Sequence, residues 1–221
     1  MKNTMPLFEL NDISFAYPGG KTLLDGVTLR LEPGEVIGLM GDNGSGKSTL
    51  LHLGAGLIRP LSGTVRIGGC DCRSEADFVL ARRDLGYLLQ RSQDQLFCPS
   101  VLEDVAFGPL NLGLSAKDAE EAARRMLAEL GLEHLAACNG NRLSGGEQRL
   151  AALAAVLVMD VKFLFLDEPS NDLDRQARER LLSILRRYNL PALVSSHDPD
   201  FLERICTRFV LLEDGRLREI R

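Results

Sequence analysis

No tryptophan occurs among the 221 residues, histidine occurs three times and cysteine five, and no apolar run exceeds Leu150–Met159. A helix needs roughly 20 apolar residues to cross a bilayer, so this run is too short. Acids at Glu9 and Asp12 come too early for a secretory leader, and the sequence predicts a cytoplasmic protein. An odd number of cysteines makes a poor disulfide framework and suits a reducing compartment. Cys70 and Cys72 form a single CxC with no second pair and no histidine nearby, which reads as reduced loop thiols rather than metal ligands. A basic excess is also missing: 26 Lys and Arg stand against 31 Asp and Glu, a net charge of −5. That balance argues against a dedicated nucleic-acid binder, so no nucleic-acid partner is expected. Repeats, low-complexity tracts and long linkers are absent from the sequence.

What is present is a globular composition, 45% hydrophobic and 26% charged. A chain of this length makes one domain, or one domain with an inserted lobe, and buries about 70% of its unfolded surface. Strands are expected at Leu7–Tyr17, Val27–Leu31, Val36–Met40 and Thr64–Ile67, between turns at Pro18-Gly19-Gly20, Glu32-Pro33-Gly34 and Gly68-Gly69. Further apolar runs at Leu85–Leu89, Phe163–Leu166 and Ala192–Ser195 suit a parallel sheet buried on both faces. Phe209–Leu212 and Leu217–Ile220 flank the hairpin signal Asp214-Gly215. From Gln90 to Leu143 the pattern turns helical. Ser115-Ala-Lys-Asp118 predicts a capping box, and Ala119, Ala122, Ala123, Met126, Leu127 and Leu130 predict a helix face packed into a core, stopped at Gly131.

The most informative stretch is Gly41-Asp-Asn43-Gly44-Ser45-Gly46-Lys47-Ser48, which fits G-x-x-x-x-G-K-[ST] between an apolar strand and a helical run. Glycines let backbone N–H groups turn toward phosphate oxygens, and the helix start adds the positive end of its dipole. Lys47 supplies a charge for the β- and γ-phosphates, and the Ser48 hydroxyl is placed for Mg²⁺. Downstream, the strand Phe163–Leu166 runs into Asp167-Glu168-Pro169. Neighbouring side chains on an extended segment point opposite ways, so Asp167 is expected to serve Mg²⁺ and Glu168 to polarise an attacking water. Ser144-Gly145-Gly146, ahead of an Ala- and Leu-rich helix, reads as a second anion-binding helix start.

Leu143-Ser144-Gly145-Gly146-Glu147 resembles the signature motif of ATP-binding cassette ATPases, and the other motifs of that family follow in its order. The resemblance implies Tyr17 as the aromatic stacking on adenine, Gly41–Thr49 as Walker A, Gln90 as the Q-loop glutamine, Phe163–Glu168 as Walker B, Asn171–Asp174 as D-loop and His197 as switch histidine. It covers essentially the whole chain. It implies an α/β fold: a P-loop NTPase core (residues 1–89 and 144–221) with an N-terminal antiparallel β lobe and an inserted α-helical subdomain at about 90–143. It further implies ATP and Mg²⁺ as ligands, with Gln90 reaching the metal and water region and His197 the γ-phosphate. Signature and Walker A of different subunits would close on one ATP in a head-to-tail dimer, either a homodimer or a pairing with a similar ATPase.

Gln90-Arg-Ser-Gln-Asp-Gln-Leu-Phe97 and Val101–Gly113 resemble the energy-coupling-factor ATPases, which power uptake of vitamins, cobalt or nickel. This implies an integral membrane transporter subunit as partner and a place on the inner face of the cell membrane. Leu96, Phe97, Val101 and Phe107 are expected at the surface that meets this partner. Three departures stand out: Glu147 where Gln is commoner, the D-loop Ser-Asn-Asp-Leu-Asp, and Ser195-Ser196 before His197. None removes a reacting group. Many energy-coupling-factor ATPases continue past the final hairpin with an extension that helps dimerisation, whereas this sequence stops soon after its own, so the resemblance leaves the affinity of a resting dimer open. His52 and His134 are expected to be ordinary packing or surface residues.

Overall fold

A computed structural model of the chain describes residues 5–220. Ten strands and seven helices are described. A four-stranded antiparallel sheet takes the order β2(Thr22–Leu31)-β1(Phe8–Ala16)-β4(Ser62–Ile67)-β5(Cys70–Cys72). A six-stranded sheet takes the order β10(Arg216–Glu219)-β9(Arg208–Glu213)-β3(Val36–Met40)-β8(Ala192–Ser195)-β7(Phe163–Asp167)-β6(Leu85–Leu88). All neighbours in this second sheet run parallel except the β9–β10 hairpin. Its inner strands β7 and β8 are buried at every residue, as expected of strands covered on both faces.

Helix α1 (Lys47–Gly54) follows β3 and packs between the two sheets, where Leu50, Leu51 and Leu53 join a core with Phe8, Phe163 and Phe165. Phe8 meets Phe165 edge to face at 4.9 Å, which fastens the antiparallel sheet to the central one. Helix α2 (Glu75–Ala81) starts on a capping box of Ser74 and Asp77 that the sequence reading did not single out. On the other face of the central sheet, α5 (Gly145–Leu157) is buried along most of its length and packs against α3 (Val101–Asn111), α4 (Ala116–Glu129) and α6 (Arg175–Tyr188). Helix α7 (Pro199–Glu203) follows β8.

Three expectations are corrected. Cys70 and Cys72 lie in strand β5, paired with Ile67 and Val65 across the Gly68-Gly69 turn, rather than in a loop. The Ser115 side chain does cap α4, but Asp118 bonds the Ser115 hydroxyl at 2.6 Å, and the reciprocal bond of a capping box is not made. Leu96 and Val101 are core residues, 4% and 0% exposed, because a 3₁₀ turn at Ser92–Asp94 rolls the chain inward; Phe97 and Phe107 stay exposed and stack edge to face at 5.0 Å. Among the described residues no helix is long and apolar enough to cross a membrane.

Candidate functional site

The loop between β3 and α1 depends on two glycines. Gly41 has φ 151°, and a Cβ there would lie 2.6 Å from the Leu212 carbonyl oxygen and 2.7 Å from Ser45 Oγ. Gly46, the left-handed N-cap of α1 at φ 107°, would press a Cβ against Leu23 and Leu24 at 3.2 and 3.3 Å. The loop therefore curls tightly enough to present main-chain donors at the start of α1. Lys47 is buried and folds back over this loop: Nζ donates to the Gly41 carbonyl at 2.7 Å and the Asp42 carbonyl at 3.2 Å, and lies 3.8 Å from Glu168 Oε1.

At the carboxyl ends of the parallel strands, Ser48 Oγ donates to Asp167 Oδ1 at 3.1 Å. Asp167 Oδ1 also accepts from Ser195 Oγ at 2.6 Å, and the same Ser195 hydroxyl accepts from the Glu168 N–H at 3.2 Å. Register explains the meeting, since Asp167 and Ser195 are directly paired in β7 and β8. Ser195 is fully buried and was not among the sequence-predicted site residues; only the pairing of two strands 28 positions apart reveals it. A hydroxyl and a carboxylate oxygen are hard donors of the kind Mg²⁺ takes, so Ser48 and Asp167 fit that ion.

Glu168 departs from the extended geometry assumed from sequence. It does diverge from Asp167, but through a left-handed backbone at φ 45°, an unfavourable conformation for a side-chain-bearing residue. The turn places its carboxylate between two partners: Oε1 faces Lys47, while Oε2 lies 2.9 Å from His197 Nδ1 and accepts the His197 N–H at 3.3 Å. Glu168 is 5% exposed, so few other groups compete for it.

These groups open on a cleft of about 610 Å³ lined by Tyr17, Leu23, Asn43, Gly44, Gly46, Lys47, Ser48, Thr49, Gln90, Glu168, Asn171 and His197. Tyr17 is half exposed, and its hydroxyl bonds Thr49 Oγ1 at 3.0 Å; Phe15, its neighbour in the alternation, is buried beneath it. Asp167 sits behind Ser48, outside the lining. Ser45 also lies outside it and faces an adjoining polar cavity with Asp42 and Asp214.

Ser144, Gly145 and Gly146 do not line the cleft. They form the exposed start of α5, where Ser144 and Glu147 make a reciprocal capping box: the Ser144 N–H and hydroxyl reach Glu147 Oε2 at 2.8 and 2.7 Å. These bonds hold the Glu147 carboxyl below its ordinary value. His52 packs near the Tyr87 ring and His134 is exposed, both away from the cleft.

Ser195→Ala removes a donor from Asp167 and one of two acceptors from the Glu168 N–H, which keeps the Ser195 carbonyl at 3.0 Å. It is expected to cost about 2 kcal/mol of stability by urea unfolding. It should also lower turnover about tenfold with a raised Mg²⁺ requirement, since outer partners of metal-binding carboxylates act on this scale.

A glycine-turned loop on a helix start, a buried lysine folded across it and two acids at the end of the neighbouring strand define a P-loop protein of the kind that binds and hydrolyses nucleoside triphosphates. The family model described as ABC transporter matches residues 24–171, and the chain belongs to that family as one of its ATPases. It is 53% identical over 211 residues to a candidate ABC transporter ATP-binding protein of Nitratidesulfovibrio vulgaris, covering 95% of this chain and 77% of that one. It is 38% identical over 216 residues to the energy-coupling factor transporter ATP-binding protein EcfA of Methanothermobacter thermautotrophicus, covering 96% of this chain and 69% of that one. Among solved structures, it superposes on the dimeric post-hydrolysis state of the ATP-binding cassette MJ0796 bound to ADP and Pi with a TM-score of 0.86, at 28% identity, covering 97% of this chain and 98% of that one.

Proposed function

We propose that this chain is the ATP-hydrolysing subunit of a membrane importer of the energy-coupling-factor kind, moving a small solute such as cobalt, nickel or a vitamin through a separate integral membrane subunit. The carrying observation is the division of the phosphate-binding parts. Lys47, Ser48, Gln90, Glu168 and His197 share one cleft, while the Ser144–Gly146 helix start lies outside its lining. A second copy, or a similar ATPase, turned head to tail would bring its own Ser144–Gly146 over the open side of the cleft. Two ATP molecules would then be held at the interface.

In this reading Tyr17 stacks on the adenine. The N–H groups of Asn43 through Thr49 and the Lys47 ammonium bind the phosphates, and Ser45 shapes the loop from its far side. Ser48 and Asp167, with Gln90, would hold Mg²⁺, which when bound offsets charge on the β- and γ-phosphates. Glu168 accepts a proton from the attacking water. His197, whose Nδ1 is engaged by Glu168, orients that carboxylate and turns Nε2 to the γ-phosphate. Catalysis of this kind is positioning and charge stabilisation, which the buried Lys47 and the opposing helix start supply.

The chain acts as a single ATPase domain, with its core at 1–89 and 144–221 and its helical subdomain at about 90–143. It works in the cytoplasm against the inner face of the membrane. The exposed Phe97–Phe107 pair on the helical side, reached from Gln90 through a short loop, suits an apolar contact with the membrane subunit. Affinity purification of the protein from its own cells, identification of a co-purifying polytopic membrane protein and reconstitution of the two together test the reading. A stable complex and ATP-dependent solute uptake into vesicles are expected. A partner-free protein whose ATPase is stimulated by DNA would overturn it.

A further inference from the structure

Gln90 follows the outermost strand of the central sheet, and two side chains fix the backbone there. Strand β6 is the outer strand of the six-stranded sheet, with only β7 beside it. Edge strands leave a row of main-chain groups to be satisfied. The outer groups at the end of β6 are matched by a side chain: Gln95 Oε1 accepts the Leu89 N–H at 2.8 Å, and Gln95 Nε2 donates to the Tyr87 carbonyl at 2.9 Å. A primary amide offers one acceptor and a pair of donors, so Gln95 completes the edge as the peptide of a neighbouring strand would.

The following groups are held from below. Arg149, in the second turn of α5, donates from Nη1 to the Leu89 carbonyl at 2.7 Å and from Nη2 to the Gln90 carbonyl at 2.6 Å. It is 4% exposed and has no carboxylate within 4.0 Å among the described residues. A buried guanidinium is costly to desolvate, and here its nearest compensation is two consecutive main-chain oxygens, with Asp167 and Asp172 acting from further away. Four main-chain groups between Tyr87 and Gln90 are thus fixed by two side chains. One belongs to the loop leading to Phe97, the other to the helix that begins at Ser144.

We propose that Gln95 and Arg149 are positioning residues for Gln90, clamping its backbone so that the Gln90 amide reaches the metal and attacking-water region and so that strain at the cleft passes to α5 and the Phe97 loop. This rests on the reading of Gln90 given above. Losing the clamp leaves the phosphate loop and Lys47 untouched, so ground-state binding survives while alignment for water attack suffers. The amide-to-acid variant Gln95→Glu retains an acceptor for Leu89 N–H and turns a second oxygen on the Tyr87 carbonyl, so it keeps half of the clamp and opposes the other half.

The test compares Gln95→Ala, Gln95→Glu, Arg149→Lys and Gln90→Ala in steady-state ATPase assays, with MgATP affinity by calorimetry and thermal unfolding. Gln95→Ala is expected to lower kcat about tenfold, the scale of an outer-shell defect, with MgATP Kd within about twofold of the parent. Arg149→Lys, which keeps the buried charge but can address only one carbonyl well, should show the same split in milder form, and neither substitution should lower kcat further in a Gln90→Ala background. A kcat for Gln95→Ala equal to the parent, with Gln90→Ala impaired, would overturn the clamp and leave the site intact. Parallel losses of Kd and kcat would also overturn it, because they describe general loosening. Unimpaired Gln90→Ala would remove the role of Gln90 itself, and the clamp with it.

Discussion

Glu168→Gln is expected to bind MgATP as the parent does and to turn it over about 10²- to 10⁴-fold more slowly. The amide is nearly isosteric and can still accept from the His197 main chain, so the left-handed turn and the cleft keep their shape. It cannot take a proton from water. In the proposed head-to-tail pairing, hydrolysis releases the paired state, so the variant should accumulate as an ATP-bound dimer. Single-turnover phosphate release measures the first effect, and size-exclusion chromatography with and without MgATP measures the second. Parent-like turnover would remove Glu168 from its assigned role.

Lys47→Ala should fail one step earlier. Its side chain is 7% exposed, its ammonium bridges the Gly41 and Asp42 carbonyls, and it is the only lysine or arginine within 4.0 Å of Glu168 among the described residues. Removing it deletes charge-assisted bonds worth about 1.5–3 kcal/mol each to a phosphate oxygen. MgATP affinity by calorimetry should therefore weaken about 10- to 100-fold, since each factor of ten is about 1.4 kcal/mol. Thermal unfolding of the apo protein should shift far less, because the two carbonyls it leaves can be reached by water at the cleft. Unchanged affinity would mean that the loop does not cradle phosphate. The two substitutions separate cleanly: one spares binding and stops chemistry, the other weakens binding itself.

Much of this site was legible in the sequence because its parts are local. Gly41–Ser48 is a contiguous loop whose glycines, lysine and serine each have a chemical reason at their spacing, and the strands before and after it read as apolar runs. The order of motifs around Gln90, Ser144, Asp167 and His197 then specified a family, and with it a fold that no single run implied. What stayed hidden was non-local or conformational. Ser195 meets Asp167 only through strand register. The left-handed turn at Glu168 has no glycine or asparagine to announce it, since tertiary contacts with Lys47 and His197 hold it open. Leu96 and Val101 look like their exposed neighbours Phe97 and Phe107 in a string of apolar residues, and only the turn after Gln90 sorts them inward. Cys70–Cys72 is too short a segment to read as a strand without its partner β4.

The outward aim of the α5 start carries a kinetic corollary. In the proposed pairing the reaction chamber borrows its far wall from another molecule and assembles by collision, so in dilute solution its output per molecule should fall as the protein is thinned out. Any scaffold that seats two such molecules side by side raises their local concentration to the millimolar range and rescues output without touching the chemistry. A membrane subunit with two seats would act as an activator by proximity alone, and molecules adrift from it would spend little ATP.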